Sequence, residues 1–158
     1  MDNRVLKDSI FSFVSNEAER LGFFVVDINI NLFRSYIEVV LDSEKGILLD
    51  SCSEFNKILK TYVNAQDSID RTFVVDVCSP GLDRVIKSDM EFSWVINRQK
   101  VVEVFFYDLF DGKSSIVGSI LKIDDACCLF KDLDLVEFSF DREKISKVKL
   151  SGRLCIGR

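Results

Sequence analysis

The chain has 158 residues, of which 47% are hydrophobic and 30% charged, and its net charge of −5 argues against a general nucleic-acid-binding protein. It has no histidine, and its five cysteines include no C-x-x-C pair, so the composition argues against zinc sites, Cys–His nucleophiles and disulfide frameworks. No apolar run approaches the roughly 18 residues of a membrane span, and no signal peptide is evident, so we expect a cytoplasmic protein.

The first half of the chain alternates helical and strand patterns. Apolar residues recur at helical spacing in two segments and at strand spacing in three others. The predicted order is helix, strand, strand, helix and strand, over residues 6–21, 24–32, 37–41, 51–63 and 72–78. Gly22 is placed to end the first helix, and the S-x-x-E pattern from Ser51 to Glu54, or Asp50, to cap the second. We expect a hairpin from the first two strands, with both helices covering one face of the sheet.

The third predicted strand runs into the only proline of the chain. Pro80 has no N–H to donate to a sheet, so the strand should end near Ser79. Pro80 and Gly81 suit the two central positions of a type II turn, because proline fixes the first φ and glycine accepts a positive second φ. The sequence therefore predicts a sharp change of direction at this point.

After this turn, short strands follow one another without a long helix between them. They are predicted at residues 99–107, 115–123, 126–131, 135–140 and 144–150, after a short helical turn near residues 89–95 capped by Ser88 or Asp89. Asp111-Gly112 and Asp124-Asp125 mark reversals. Five short strands in succession predict a small closed barrel, which leaves no exposed sheet edges. We therefore predict an α+β fold of two domains, residues 1–87 and residues 88–158.

Segments along nearly the whole chain follow one family pattern in order. The stretch from Asp76 to Ile86 contains SPGLDR and is similar to E-V-S-S-P-G-L-D-R-P-L, the most specific signature of the bacterial ribosome maturation factor RimP family. Weaker resemblances lie at Leu21–Asp27, Ile47–Cys52, Phe92, Asn97-Arg98, Gly118–Leu121 and Ile145–Leu150. The chain departs from the family at Val85, usually proline, and at Asn97, usually glycine. Its first hairpin keeps only Arg34 of a basic tip.

The resemblance implies both a fold and a function. The fold would be an N-terminal α-β-β-α-β domain followed by a C-terminal Sm-like or SH3-like barrel. The function would be that of a non-enzymatic ribosome maturation factor, monomeric and cytoplasmic, without cofactor, metal or membrane contact. Its expected partners are the free small (30S) ribosomal subunit, rRNA and a small-subunit ribosomal protein near the decoding region. An independent Sm-like RNA-binding module that oligomerises is the alternative, and the missing catalytic groups argue against an enzyme.

The first candidate site is the SPGLDR segment, which consists of Ser79, Pro80, Gly81, Leu82, Asp83 and Arg84. In a structural interpretation it is a turn at the domain junction, where Asp83 and Arg84 satisfy backbone groups or pair across the junction. In a functional interpretation it is an exposed surface that docks on the ribosome. The structural interpretation is favoured because Pro-Gly has a full local explanation, and the two interpretations are compatible.

The second candidate site is the basic end of the chain. Between Arg142 and Arg158 there are six basic residues and one acidic residue. The candidate rRNA contacts are Lys144, Lys147, Lys149 and Arg153. Lys147 and Lys149 are two residues apart and should lie on one face of a strand. Lysines in this arrangement suit phosphate contact and suit an ordinary solvent-exposed face equally well. Of the aromatic residues that could stack on bases, we expect Trp94 in the core and leave Phe110 open.

Overall fold

The chain forms two compact units in a computed structural model that describes residues 3–66 and 72–151. The units are Met1–Pro80 and Gly81–Arg158. The sequence placed the boundary seven residues later, between residues 87 and 88. The intervening segment contains a short strand that pairs within the second unit, and the separate folding of the two parts stays a prediction.

Over its described residues, 3–66 and 72–80, the first unit contains two helices and a three-stranded sheet. Its elements are α1 (Asn3–Leu21), β1 (Phe24–Asn31), β2 (Tyr36–Asp42), α2 (Leu49–Asn64) and β3 (Val74–Cys78). β1 and β2 form the predicted antiparallel hairpin, while β2 and β3 run parallel. A parallel pair needs a crossover connection, and α2 supplies it. Together with the strand-rich second unit, this confirms the α+β class.

One hydrophobic core lies between the helices and one face of this sheet. α1 buries Leu6, Ile10, Val14 and Ala18, α2 buries Cys52, Phe55, Leu59 and Val63, and β2 contributes Ile37, Val39 and Leu41. The helical and strand periodicities of the sequence therefore identify the buried faces. α1 ends as predicted, with Gly22 at φ 78° and the Phe23 N–H donating to the Ala18 carbonyl at 2.8 Å.

The predicted cap of the second helix is wrong. α2 begins at Leu49, and its N-cap is Leu48, which makes no side-chain capping bond. The Cys52 N–H already donates to the Leu48 carbonyl at 3.2 Å, so the first turn closes ahead of the predicted box. Ser51 and Glu54 consequently lie inside the helix, where an S-x-x-E pattern has no capping role.

Over residues 81–151, the second unit contains one α-helix, one short 3-10 helix and a six-stranded antiparallel sheet. Its elements are β4 (Val85–Ile86), α3 (Asp89–Asn97), β5 (Val102–Phe110), β6 (Lys113–Ile123), β7 (Cys127–Asp132), β8 (Glu137–Asp141), a 3-10 helix (Arg142–Lys144) and β9 (Ile145–Leu150). All five predicted strands are present, and β4 is additional. The predicted helical turn is a nine-residue helix, capped by Ser88 as one of the two predicted candidates.

The sheet of the second unit is strongly curled. Its strand order is β4-β9-β5-β6-β7-β8, so three inter-strand spacings separate β5 from β8. In a flat sheet that distance would be roughly 14 Å, yet the ring centroids of Phe106 in β5 and Phe140 in β8 lie 5.1 Å apart. Among the described residues, however, the strand pairs leave β4 and β8 as open ends, so the predicted closure into a barrel is not established.

At two positions in the second unit, the conformation or the packing of the backbone requires glycine. Asp111 and Gly112, with φ 51° and 78°, form the two-residue reversal predicted between β5 and β6. Gly118 in β6 lies against β7 so closely that a Cβ would come within 2.1 Å of the Lys131 carbonyl oxygen. These positions fix the hairpin turn and the spacing between β6 and β7.

Candidate functional site

The SPGLDR segment follows β3, and its central residues, Gly81, Leu82 and Asp83, are exposed. Gly81 adopts φ 73°, as the predicted type II turn requires. Ser79 and Pro80 belong to the first unit and the remaining four residues to the second. Leu82 is 60% exposed, and Asp83 is exposed beside it. An apolar and an acidic side chain are therefore presented next to each other at the start of the second unit.

Arg84, the last residue of the segment, is anchored inside the second unit. Its Nε donates to Oε2 of Glu91 in α3 at 2.5 Å, and the two side chains are 21% and 3% exposed. Oε1 of the same carboxylate accepts from the Ser88 N–H at 2.9 Å and the Lys87 N–H at 3.2 Å. The Ser88 hydroxyl accepts from the Glu91 N–H and completes a capping box. Arg84 thus ties the segment to the start of α3.

The Glu91 carboxylate stays ionised although it is buried. Burial alone would raise the pKa of Glu91. Hydrogen bonds from the Ser88 N–H, the Arg84 side chain and the Lys87 N–H, together with the positive charge of Arg84, outweigh that effect and hold the pKa below its ordinary value. A carboxylate held this way serves as a structural anion, because its lone pairs are already engaged.

The backbone after Arg84 lies directly beside the basic strand β9. The Leu150 N–H donates to the Arg84 carbonyl at 2.9 Å, and Val85 in β4 pairs with Lys149 in β9. The structure therefore brings the part of SPGLDR in the second unit next to the strand that carries two of the predicted rRNA contacts. The sequence does not reveal this adjacency, because Arg84 and Lys149 are 65 positions apart along the chain.

Lys147 and Lys149 differ in their surroundings, although both point away from the core. They alternate with Val148 and Leu150, which are buried. The Lys147 ammonium lies 4.8 Å from the ring centroid of Phe105 and is exposed. Lys149 is half-buried and pairs across the strands with Glu103. The two lysines are thus on one face of β9, and Lys147 presents its charge more fully to solvent.

The other basic residues of this end are distributed less regularly. Lys144 is exposed in the 3-10 helix that precedes β9. Arg142 is half-buried, with its guanidinium 4.9 Å from the Phe92 ring centroid and Nη1 donating to the Asp124 carbonyl at 3.2 Å. Arg153 lies outside the described residues. Lys144 and Lys147 are therefore the most exposed of the predicted contacts that the structure describes.

The aromatic residues divide into core and surface. Trp94 is 5% exposed, which confirms its predicted burial. Phe110 is half-buried, and its ring lies 5.1 Å from the ring of Phe106 and 5.3 Å from that of Phe140. Phe33, at the tip of the first hairpin, is 88% exposed. Phe110 consequently belongs to an aromatic cluster rather than to a free stacking platform.

Glu91 is the residue that sequence reasoning missed at this site. The S-x-x-E signature that identifies a capping box is present at Ser88 to Glu91. The same signature at Ser51 to Glu54 predicts a capping box that does not form, whereas at Ser88 the sequence predicts only a single cap. Nothing in the sequence indicates that Arg84 reaches the same carboxylate, because that contact depends on how β4 enters the sheet.

Within residues 3–66 and 72–151, no cluster of three or more histidine, cysteine, aspartate or glutamate side chains is arranged to bind a metal ion. Over the same residues, none of the helices combines the length and the apolar character that crossing a membrane requires.

Comparison with known families bears on the first unit and on the start of the second. Residues 13–83 match the model of the RimP N-terminal domain. The match extends from α1 through β3 and includes most of the SPGLDR segment. It confirms the resemblance to the RimP family, which the sequence showed most specifically at SPGLDR.

Proposed function

We propose, from the premise that the chain is a member of the RimP family of ribosome maturation factors, that it binds the free small (30S) ribosomal subunit and assists its assembly. It does so without catalysing a reaction, as a cytoplasmic monomer without a cofactor. Its partners on the subunit are rRNA and a ribosomal protein near the decoding region. The match to residues 13–83 is the observation that carries this proposal.

The surface for rRNA in this proposal is the exposed face of β9 with the preceding 3-10 helix. Lys144 and Lys147 are exposed there, and Lys149 lies on the same face of β9 as Lys147. Lysines contact phosphates as point charges and supply affinity without reading sequence. The overall charge of −5 would oppose binding elsewhere on the chain, so a local basic strand also sets the orientation of docking.

The SPGLDR segment is the second contact in this proposal. Arg84 anchors the segment to Glu91, and the exposed Leu82 and Asp83 are then held in a fixed position. A fixed segment loses less conformational freedom on binding than a flexible loop does. Because Val85 pairs with Lys149, this contact and the basic strand are neighbours in the second unit. They can therefore engage one large target together.

We also propose that the second unit is an Sm-like or SH3-like barrel. The contact between Phe106 and Phe140, from strands three spacings apart in the sheet order, supports this assignment. Barrels of this size fill their interior with side chains, and the aromatic cluster of Phe106, Phe110 and Phe140 would occupy that interior. A crystal structure that shows hydrogen bonds between the end strands β4 and β8 would establish closure.

The experiment that tests the rRNA surface combines a double substitution with a salt series. Lys147→Ala with Lys149→Ala should weaken binding to free small subunits and reduce the slope of log affinity against log salt by up to about 1.5. The matched control is Lys57→Ala with Lys60→Ala, which removes two exposed lysines from α2. Unchanged affinity and slope in a normally folded β9 variant would assign these lysines to solvent.

The alternative of an oligomerising Sm-like module is separated by native mass. A monomer that binds small subunits agrees with the proposal. A stable ring of copies that binds RNA without preference for the small subunit would favour the alternative.

A further inference from the structure

A groove opens on the second unit between the β5–β6 hairpin and the turn that joins β7 to β8. It has a volume of about 230 Å³. Its walls combine apolar and acidic side chains, among them Phe110, Phe138, Leu133, Asp111, Asp132 and Asp134. Lys144, Lys147 and Lys149 do not line it, so the groove is distinct from the basic strand.

The turn beside the groove exposes an unusual amount of apolar surface. Leu133, Leu135 and Val136 are 53%, 74% and 49% exposed. The Asp132 carboxylate accepts hydrogen bonds from the N–H groups of Asp134 and Val136, both at 2.9 Å. The turn is therefore fixed by its own hydrogen bonds, and it presents three apolar side chains between residues 133 and 136. Clustered apolar exposure of this kind marks an interaction surface more often than single exposed residues do.

The negative charge of the groove indicates which kind of partner it can bind. Among the lining residues that the structure describes, Asp111, Asp132 and Asp134 carry negative charge and Lys113 carries positive charge. The groove thus has an excess of two negative charges, which repels phosphate and attracts cations. Because apolar side chains lie in the same wall, a partner with both cationic and apolar side chains complements it better than an inorganic cation does.

We propose that this groove binds a cationic, partly apolar segment of a protein partner. Lysine or arginine side chains of that segment pair with Asp111 and Asp134, and an apolar side chain packs against Leu133, Phe110 and Phe138 of the groove wall. This protein-binding surface goes beyond the rRNA-binding and junction surfaces proposed above. Peptide binding to this surface can be tested without ribosomes.

The probe is a short fluorescent peptide of alternating lysine and leucine, titrated into the full-length protein. Peptides with serine in place of leucine, and with glutamate in place of lysine, are the controls for the apolar and charged contributions. We expect saturable binding of the lysine–leucine peptide and at least about tenfold weaker binding of both controls. Amide resonances of the hairpin and of residues 132–138 should shift, while those of β9 should not.

The decisive variant is Asp111→Asn with Asp134→Asn, because asparagine tolerates the positive φ of 51° at residue 111. We expect about three- to tenfold weaker peptide binding. Asp125→Asn with Asp141→Asn removes the same charge from exposed positions outside the groove and should change binding less than twofold. Leu133→Ser should weaken binding about fivefold through the lost apolar contact.

Three results would overturn this proposal. The first is no binding of the lysine–leucine peptide, or equal binding by the groove variant, its control and the unsubstituted protein. The second is self-association of the protein that the groove variant abolishes, which would make a second copy the occupant. The third is displacement of the peptide by an RNA oligonucleotide with the same resonance shifts. None of these results depends on whether the protein binds small subunits.

Discussion

The ion pair between Arg84 and Glu91 permits a quantitative prediction. Arg84→Ala would leave the Glu91 carboxylate, 3% exposed in its side chain, without its cationic partner. Removing one member of a buried ion pair costs about 3–5 kcal/mol. Glu91 would keep its bonds from the N–H groups of Lys87 and Ser88. We therefore expect Arg84→Ala to lower the unfolding free energy of the second unit by about 3 kcal/mol, the lower end of that range.

Chemical denaturation measures this loss of unfolding free energy directly, and a thermal melt measures the corresponding change in melting temperature. If the second unit unfolds in its own transition, a loss of 3 kcal/mol corresponds to a decrease of roughly 12–24 °C in melting temperature. Lys87→Ala is the matched control, because its exposed side chain is removed while its backbone N–H bond to Glu91 remains. That control should stay within about 0.5 kcal/mol of the unsubstituted protein. A similarly small effect for Arg84→Ala would refute the anchoring role.

The same pair predicts a dependence on pH. The folded-state pKa of Glu91 is lowered from an ordinary value of 4.5, so its carboxylate stabilises the fold fully above about that pH. This contribution is lost as the pH falls through the lower, folded-state pKa. The stability difference between the unsubstituted protein and Glu91→Gln should therefore be constant near neutral pH and shrink below pH 4.5. A difference that grows in acid would contradict the assignment.

Three further predictions concern the second unit. Gly118→Ala should prevent native pairing of β6 with β7, because its Cβ would lie 2.1 Å from a backbone oxygen; a native amide spectrum would contradict this. Burial raises the pKa of the Cys128 thiol to about 12, so alkylation at neutral pH followed by peptide mass mapping should modify the exposed Cys127 and spare its neighbour. A fragment of residues 81–158 should fold alone and melt higher than residues 88–158, which lack β4 and the anchoring arginine; equal melting would favour the boundary predicted from sequence.

Elements with strong periodicity were predictable, and so were turns with specific chemistry. Alternation identified the strands of the first hairpin, and Asp111-Gly112 identified the reversal between β5 and β6. Gly81 has the positive φ that the predicted turn at Pro80-Gly81 requires. β4 escaped prediction because a strand of two residues has no measurable alternation. The parallel pairing of β2 with β3 escaped it as well, since periodicity assigns faces and not neighbours.

The candidate sites were predictable in composition but not in arrangement. Spacing placed Lys147 and Lys149 on one face of a strand, and the burial of Val148 between them agrees. Their different surroundings depend on β5, which places an aromatic ring beside one lysine and Glu103 beside the other. Such cross-strand neighbours follow from register, and a single sequence does not specify register between distant strands.

Co-sedimentation of the purified protein with ribosomal particles tests the proposed function most directly. Free small subunits, large subunits and joined ribosomes would be mixed separately with the protein at moderate salt and centrifuged through a cushion. The proposal predicts that the protein pellets with free small subunits and stays in solution with large subunits and with joined ribosomes. Equal recovery with small subunits and joined ribosomes, or recovery only with large subunits, would contradict it.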